Sequence, residues 1–188
     1  MRHRLAAVLL FVPVALVAQH PQVRDGFWIG FGFGYGSAHF SCAGGCDTTI
    51  SSATGHLRLG GTLNSHILLG ADIVAWSKAD SGVTNVMGNT NFEAYYYPNA
   101  AGGFFLKGGL GVAVFSNSGS SSGGDIKGNG GGITLGLGYD IRVARMFSIT
   151  PVASLVVGSV GDLKQGNTTI QTGWKQRLLE FGLDATFH

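Results

Sequence analysis

Charge is scarce in this chain. Asp, Glu, Lys and Arg make up 12% of its 188 residues, about half the share of an ordinary soluble domain. Twelve Lys and Arg against ten Asp and Glu leave a formal net charge of +2, which excludes the dominant positive field of a nucleic-acid binder. Proline occurs only 4 times and no Gly-X-Y period exists, so the 32 glycines do not make a collagen-like rod. Disorder is excluded from the other side, because 45% of the residues are apolar. After the first twenty residues no apolar run reaches the length of about 18 that a membrane-spanning helix needs.

What is present begins with an export signal. Residues 1–18, MRHRLAAVLLFVPVALVA, carry Arg2 and Arg4 ahead of an apolar stretch from Leu5 to Val17, and Ala18 with Leu16 offers a cleavage site. Removing this segment takes away two cations. Lys plus Arg falls from 12 to 10, equal to the 10 Asp plus Glu, so the mature chain is formally neutral. Residues 19–25 form a short N-terminal segment, and 26–188 read as one domain.

From residue 26 the apolar period is two. Phe27, Ile29, Phe31, Phe33 and Tyr35 alternate with Trp28, Gly30, Gly32, Gly34 and Gly36, as on the two faces of a strand. The same alternation returns around Leu57–Leu63, Ile67–Ala75, Phe92–Tyr96, Phe104–Val114, Ile133–Ile141, Phe147–Val157 and Leu179–Phe187, giving eight segments. KQRLLEFGLD near the end has helical propensity, but Gly182 and the alternation through Phe187 favour a strand. Pro151 removes a ladder donor inside its segment, so a bulge is expected there.

The two faces differ in kind. The apolar parity carries no Asp, Glu, Lys or Arg. The other parity holds Arg58, Asp72, Glu93, Lys107, Asp140, Glu180 and Asp184 among many Gly, Ser and Thr. A soluble sheet turns a charge-rich face to water. Here the polar face is sparse and small, which suits the interior of a narrow closed barrel, while the broad apolar face suits lipid. The segments between strands alternate long and short. The long ones, 41–52, 77–90, 116–130 and 158–173, read as outer loops, and the short ones as periplasmic turns. Phe27, Tyr96, Phe104, Tyr139, Phe147 and Phe187 all lie at the short-turn end of the apolar face, the depth at which aromatic rings meet headgroups. The expected fold is therefore all-β: an eight-stranded antiparallel up-and-down transmembrane barrel in the outer membrane of a Gram-negative-type envelope, both termini in the periplasm.

By this pattern residues 26–188 resemble the small OmpA/OmpX-type outer-membrane β-barrels. Members end on a polar-x-Gly-x-x-aromatic/apolar-x-aromatic strand read by the barrel-insertion machinery, and Glu180, Gly182 and Phe187 match that spacing. Ala185 is smaller than the pattern asks, and His188 follows the aromatic residue. The resemblance implies the insertion machinery, outer-membrane lipid and lipopolysaccharide as partners, with an unidentified extracellular partner at the loops.

Few residues suggest chemistry. Cys42 and Cys46 are the only cysteines, and in an oxidising periplasm a C-A-G-G-C loop is expected to close a disulfide. A metal would need more ligands than these and His39 supply. His39 and Ser41 lie near the outer rim, where some barrel enzymes keep a Ser and a His, but no Gly-x-Ser-x-Gly elbow occurs. Neither enzyme nor cofactor is expected. The inward glycines, Gly30, Gly32, Gly34, Gly36, Gly109, Gly111, Gly136 and Gly138, leave either a cavity or room for Trp28, Trp76, Tyr95, Tyr97 and Phe105 to fold over the gap. The first function expected is a structural or surface-interaction role through the outer loops. The alternative is a narrow pore or a conduit for small apolar ligands, and a lipid-modifying enzyme comes last.

Hairpin arithmetic adds an interior network. If Leu63 faces Ile67, Arg58 lies opposite Asp72. If Tyr96 faces Phe104, Glu93 lies opposite Lys107. A charge in a narrow barrel loses hydration and needs a partner, so these four residues are expected to form a structural network. His56, inward beside Arg58, is expected to be hydrogen-bonded, and Glu180, Asp184 and Asp140 to reach across the lumen.

Overall fold

Alternation becomes a closed antiparallel wall in the computed structural model, which describes residues 22–119 and 124–188. The export signal expected at residues 1–18 lies outside the described residues. The strands are β1 (Phe27–Ser41), β2 (Asp47–Asn64), β3 (Ile67–Asp80), β4 (Val83–Tyr96), β5 (Phe104–Gly119), β6 (Ile126–Tyr139), β7 (Ile141–Ala144), β8 (Phe147–Gln165) and β9 (Thr168–Phe187). β1 to β6 pair in turn, β1 also pairs with β9, β9 with β8, and β8 with both β6 and β7, which closes the ring.

Nine strands make eight staves. Gly138 faces Val152 and Ile141 faces Ile149, so β6 and β7 hold one register against β8. The break at Asp140 falls opposite Thr150 and Pro151, where a proline has no N–H to give. The bulge expected in the Pro151 segment is therefore not in β8, which keeps Pro151 opposite Leu183; the interruption is in the partner strand. The Asp140 N–H bonds instead to the Gly103 carbonyl at 2.9 Å. The helix-prone end of the chain is strand throughout β9, since closing the ring against β1 satisfies its backbone groups.

The expected long outer loops are mostly ladder. Asp80 faces Val83 across a two-residue turn in which Ser81 and Gly82 have φ of 50° and 81°. Gln165 faces Thr168 across Gly166 and Asn167, with Gly166 at φ 58°. These are the left-handed conformations of tight hairpins. Thr48, Thr49, Ile50, Val83, Thr84 and Val86 are β-branched and pair as strand, so small polar composition misled where period and propensity did not. A tilted strand crosses a bilayer with about 9–11 residues. Staves of 14 to 20 residues therefore carry the wall several residues beyond it.

Outward side chains form an apolar belt. Phe33, Leu110, Leu135, Phe181 and Leu183 are more than half exposed, and Phe27, Tyr96, Phe104 and Phe187 ring the short-turn end. The Phe147 and Phe187 rings pack against each other, tilted by 46° with centroids 5.0 Å apart. An arginine near the midplane of such a belt costs about 2–4 kcal/mol. Leu135→Arg and Ile73→Arg should each lose that much in a urea titration of the barrel in lipid vesicles, while Asn167→Arg at the β8–β9 turn should change little.

Candidate functional site

Inward side chains fill the barrel in three layers. Nearest the short-turn end, Trp28, Leu68, Tyr95, Tyr97 and Phe105 form one apolar cluster, with Trp28 edge-on to Tyr95 at 5.1 Å. Toward the outer rim, Phe40, Trp76, Met87, Phe115, Val156, Val160, Leu163 and Leu178 form a second. Between them lies a layer of buried polar groups that includes His56, Arg58, Asp72, Asn91, Glu93, Lys107, Thr134, Glu180 and Asp184.

The register places Arg58 opposite Asp72, as the Asn64–His66 turn implies, despite an irregularity between Thr62 and Asn64. The ion pairs follow a different map. Arg58 Nε stands 3.0 Å from Asp184 on β9, and its Nη2 donates to Thr186 at 2.9 Å. Asp72 receives Lys107 Nζ at 2.6 Å, and the same ammonium lies 3.4 Å from Glu93. Glu93 itself faces Gly109, and Lys107 faces Tyr95, so the β4–β5 register is two residues from the one expected. A slip of two keeps every side chain on its face, and hydrophobic alternation cannot detect it. The Lys107 stem still spans the offset.

Arg58 can reach β9 because the inward face of β1 between them is glycine from Gly30 to Gly36. A Cβ on Gly30 would stand 2.9 Å from Arg58 Nε, and one on Gly32 would overlap the Asp184 carboxylate. His56 uses the same trough. Its Nε2 lies 2.9 Å from Glu180 and its Nδ1 3.0 Å from Asp184. Gly182, facing it on β9, leaves the room, since a Cβ there would stand 2.5 Å from His56 Cε1. The arrangement repeats on β5. Asn91 on β4 donates across Gly111 to Thr134 on β6 at 2.8 Å, and a Cβ on Gly111 would stand 2.7 Å from Asn91 Oδ1. Glycine columns on one stave thus let polar groups on its two neighbours meet. The bulky inward rings also cover glycines: Trp28 lies over Gly60 and Gly70, and Phe105 over Gly138.

The mouth at the short-turn end carries a cap that the sequence reading did not identify. Arg24 lies 3.6 Å above the Tyr97 ring and donates to the carbonyls of Ala100 and Gly102. Gln22 donates to the Asp140 carbonyl at 2.9 Å, and Arg142 to the Val23 carbonyl at 3.0 Å. The Asp140 carboxylate accepts from Tyr97 and Thr150, each at 2.8 Å, at the mouth of the barrel. Burial first, then that carboxylate, pushes the Tyr97 phenol well above its ordinary value, so it stays a donor. An arginine within the segment 19–25 was the available signal.

At the outer rim the Cys42 and Cys46 sulfurs are joined, with Cα atoms 5.2 Å apart. The Ala43 N–H ties this hairpin tip to the Thr172 carbonyl at 3.1 Å. His39 lies outward, 3.1 Å from Thr49 and 3.8 Å from Asp47. Ser41 ends β1 opposite both Asp47 and Lys175. A side groove of about 420 Å³ is lined by Ser37, His39, Thr49, Leu155, Arg177 and Leu179. Among the described residues, no group of His, Cys, Asp and Glu is arranged to hold a metal.

Comparison with known proteins gives the fold its relatives. A model of the autotransporter β-domain matches residues 16–162. No curated protein sequence matches the chain. Among solved structures, Neisserial surface protein A is 17% identical over 86% of this chain and 97% of its own, with a TM-score of 0.56. Ail, the attachment invasion locus protein of Yersinia pestis, is 12% identical over 87% of this chain and 99% of its own, with a TM-score of 0.57. The same Yersinia pestis protein in complex with the heparin analogue sucrose octasulfate, also 12% identical, covers 86% of this chain and 99% of its own at a TM-score of 0.56.

The ion pair across the glycine trough makes a double-mutant cycle decisive. Asp184→Leu or Arg58→Met alone leaves a buried charge without its partner and should cost about 3–5 kcal/mol. The two together should cost much less than the sum, read as unfolding free energies in lipid vesicles.

Proposed function

The chain belongs to the autotransporter β-domain family and sits in the outer membrane as an integral β-barrel, and we propose that it works at its outer rim, as a structural or surface-contact protein, rather than by passing solute through its lumen. The observation that carries this reading is the filled interior. Trp76, Tyr95, Phe105, Glu93, Arg142, Thr134 and Glu180 have essentially no exposed surface, and they occupy all three layers from mouth to rim. A solute would have to displace paired charges in the middle layer and two aromatic clusters around it. The glycine-lined conduit has no comparable support, because the glycines lie under neighbouring side chains.

The OmpA/OmpX-type architecture implies the remaining parts of the reading. Residues 1–18 would direct export. Phe187, outward at the end of β9, together with Glu180 and Gly182, inward on the same strand, would serve the insertion machinery. In this chain the latter two also carry the His56 contact, so packing and insertion share residues. The Cys42–Cys46 bridge would hold the β1–β2 tip. The interior network of Arg58, Asp72, Glu93 and Lys107 would be structural. Nothing in the arrangement of His39 and Ser41 supports a nucleophile, since His39 contacts Thr49 and Asp47. Ail of the fold relatives takes a polyanionic sugar analogue; for this chain that supports a search among surface polyanions.

Planar-bilayer recording tests the closed lumen. Inserted barrel should give no stepwise conductance above the lipid baseline. Regular steps from purified protein, abolished by filling Gly32 or Gly111 with a larger side chain, would establish the pore reading instead.

A further inference from the structure

The outer end of the lumen changes character between one inward row and the next. Trp76, Met87 and Phe115 stand side by side in register on β3, β4 and β5, and each is 5% exposed or less. Two residues nearer the rim on the same strands, and so on the same inward face, come Lys78, Asn85 and Asn117. Lys78 faces Asn85, and Asn85 faces Asn117. All three are only partly buried, so the reach of water ends between the two rows.

Under the polar row lies a floor of rings. Phe40 on β1 stands 5.7 Å from Trp76, 5.6 Å from Phe115 and 5.5 Å from Trp174 on β9. Phe115 and Trp174 are 4.7 Å apart. Of these four rings Trp174 alone is partly exposed. The polar row above has bonding capacity to spare. Asn117 Nδ2 donates to Asn85 Oδ1 at 2.7 Å, which leaves the Asn85 N–H groups and the Asn117 carbonyl oxygen for another molecule. Among the described residues Lys78 forms no ion pair, whereas Lys107 deeper in the lumen is held by Asp72 at 2.6 Å. Asp80, the carboxylate nearest to Lys78 along β3, accepts from Ser81 in its own turn at 3.0 Å.

An electron-rich floor, amide donors beside an amide acceptor, and one unpaired ammonium define the chemistry of an occupant. The C–H face of a pyranose lies on an aromatic ring, and its hydroxyl groups both give and accept hydrogen bonds. A carboxylate on that ring meets the ammonium. A fatty chain in the same place would leave the amides and the ammonium unpaired.

We propose that this cup at the outer end of the lumen binds a carboxylate-bearing sugar ring of an extracellular glycan. The site deepens the rim reading given above and rests on it. Trp174 supplies the stacking face, Asn85 and Asn117 hold hydroxyl groups, and Lys78 takes the carboxylate. The cup faces the barrel axis, so the wall stands between it and the lipid.

Calorimetric titration of the folded barrel in phosphatidylcholine nanodiscs tests the cup with a matched pair of probes. Hyaluronan tetrasaccharide alternates a uronic acid with N-acetylglucosamine, and chitotetraose has the amide sugar without the carboxylate. The wild-type barrel should bind the hyaluronan fragment at least about fivefold more tightly. Lys78→Gln should abolish that preference and leave chitotetraose binding unchanged. Trp174→Leu should weaken both by about tenfold. Lys127→Gln, at an exposed lysine of β6, should change neither. Heat-dependent gel migration checks that each variant is folded, and if Trp174→Leu does not fold, the Lys78→Gln comparison decides. No saturable binding of either probe, or a preference that survives Lys78→Gln, would overturn the cup. Binding that both cup variants leave intact would place the contact elsewhere on the rim, overturning the cup but not the surface role. Stepwise conductance in the bilayer recording would overturn that role itself, a distinct outcome.

Discussion

A charged side chain inside a closed eight-stave barrel has little water and little space, and the rest of the structure depends on how both shortages are met. Removing hydration from an ion costs several kcal/mol unless a partner replaces it. The lumen is too narrow for every inward position to carry a side chain. Glycine columns on β1 and β5 resolve the conflict. They empty one stave so that Arg58 and His56 reach Asp184 and Glu180 on β9, and Asn91 reaches Thr134 on β6. Other glycines, Gly60 on β2, Gly70 on β3 and Gly138 on β6, leave room for Trp28 and Phe105 to lie over the wall near the mouth. High glycine content and low charge content are then one design viewed twice.

From that layer outward the wall follows. Period-two alternation turns each inward glycine or polar group into an outward apolar neighbour, so the packing that fills the lumen also lays down the lipid-facing belt. Where the alternation outruns the belt, the staves continue as ladder above the membrane, and β3–β4 and β8–β9 turn in two residues. The outer surface is consequently the upper wall of a tall barrel as much as a set of loops.

Fold and face were legible in the sequence because alternation reports both directly. Phe27 through Gly36 assigns one stave, and repetition assigns the ring. Register was legible only where the turn was tight. Asn64 to His66 put Arg58 opposite Asp72, but the longer connection after Tyr96 hid a slip of two that leaves every face unchanged. Ion partners were less legible again. For Arg58 the carboxylate it meets lies two staves away across the glycines of β1, and for Lys107 it lies two staves away on β3, so pairing on the adjacent stave does not report either. The Ser/Gly-rich stretches concealed strands because composition says little about a ladder whose backbone groups are satisfied. Arg24 was missed because a short segment before the first strand has no periodicity to read.

The most direct measurement compares Gly32→Ala with Gly55→Ala by urea unfolding of the barrel in lipid vesicles. Neither glycine has a positive φ, so backbone conformation does not separate them. A Cβ at Gly55 meets nothing within 4 Å, while one at Gly32 overlaps the Asp184 carboxylate and stands 2.6 Å from its Cα. Gly55→Ala should be neutral or stabilising by up to about 1 kcal/mol. Gly32→Ala should cost about 1–3 kcal/mol or more, as overpacking does. Equal tolerance at the two positions would contradict the glycine trough as the feature on which the interior depends.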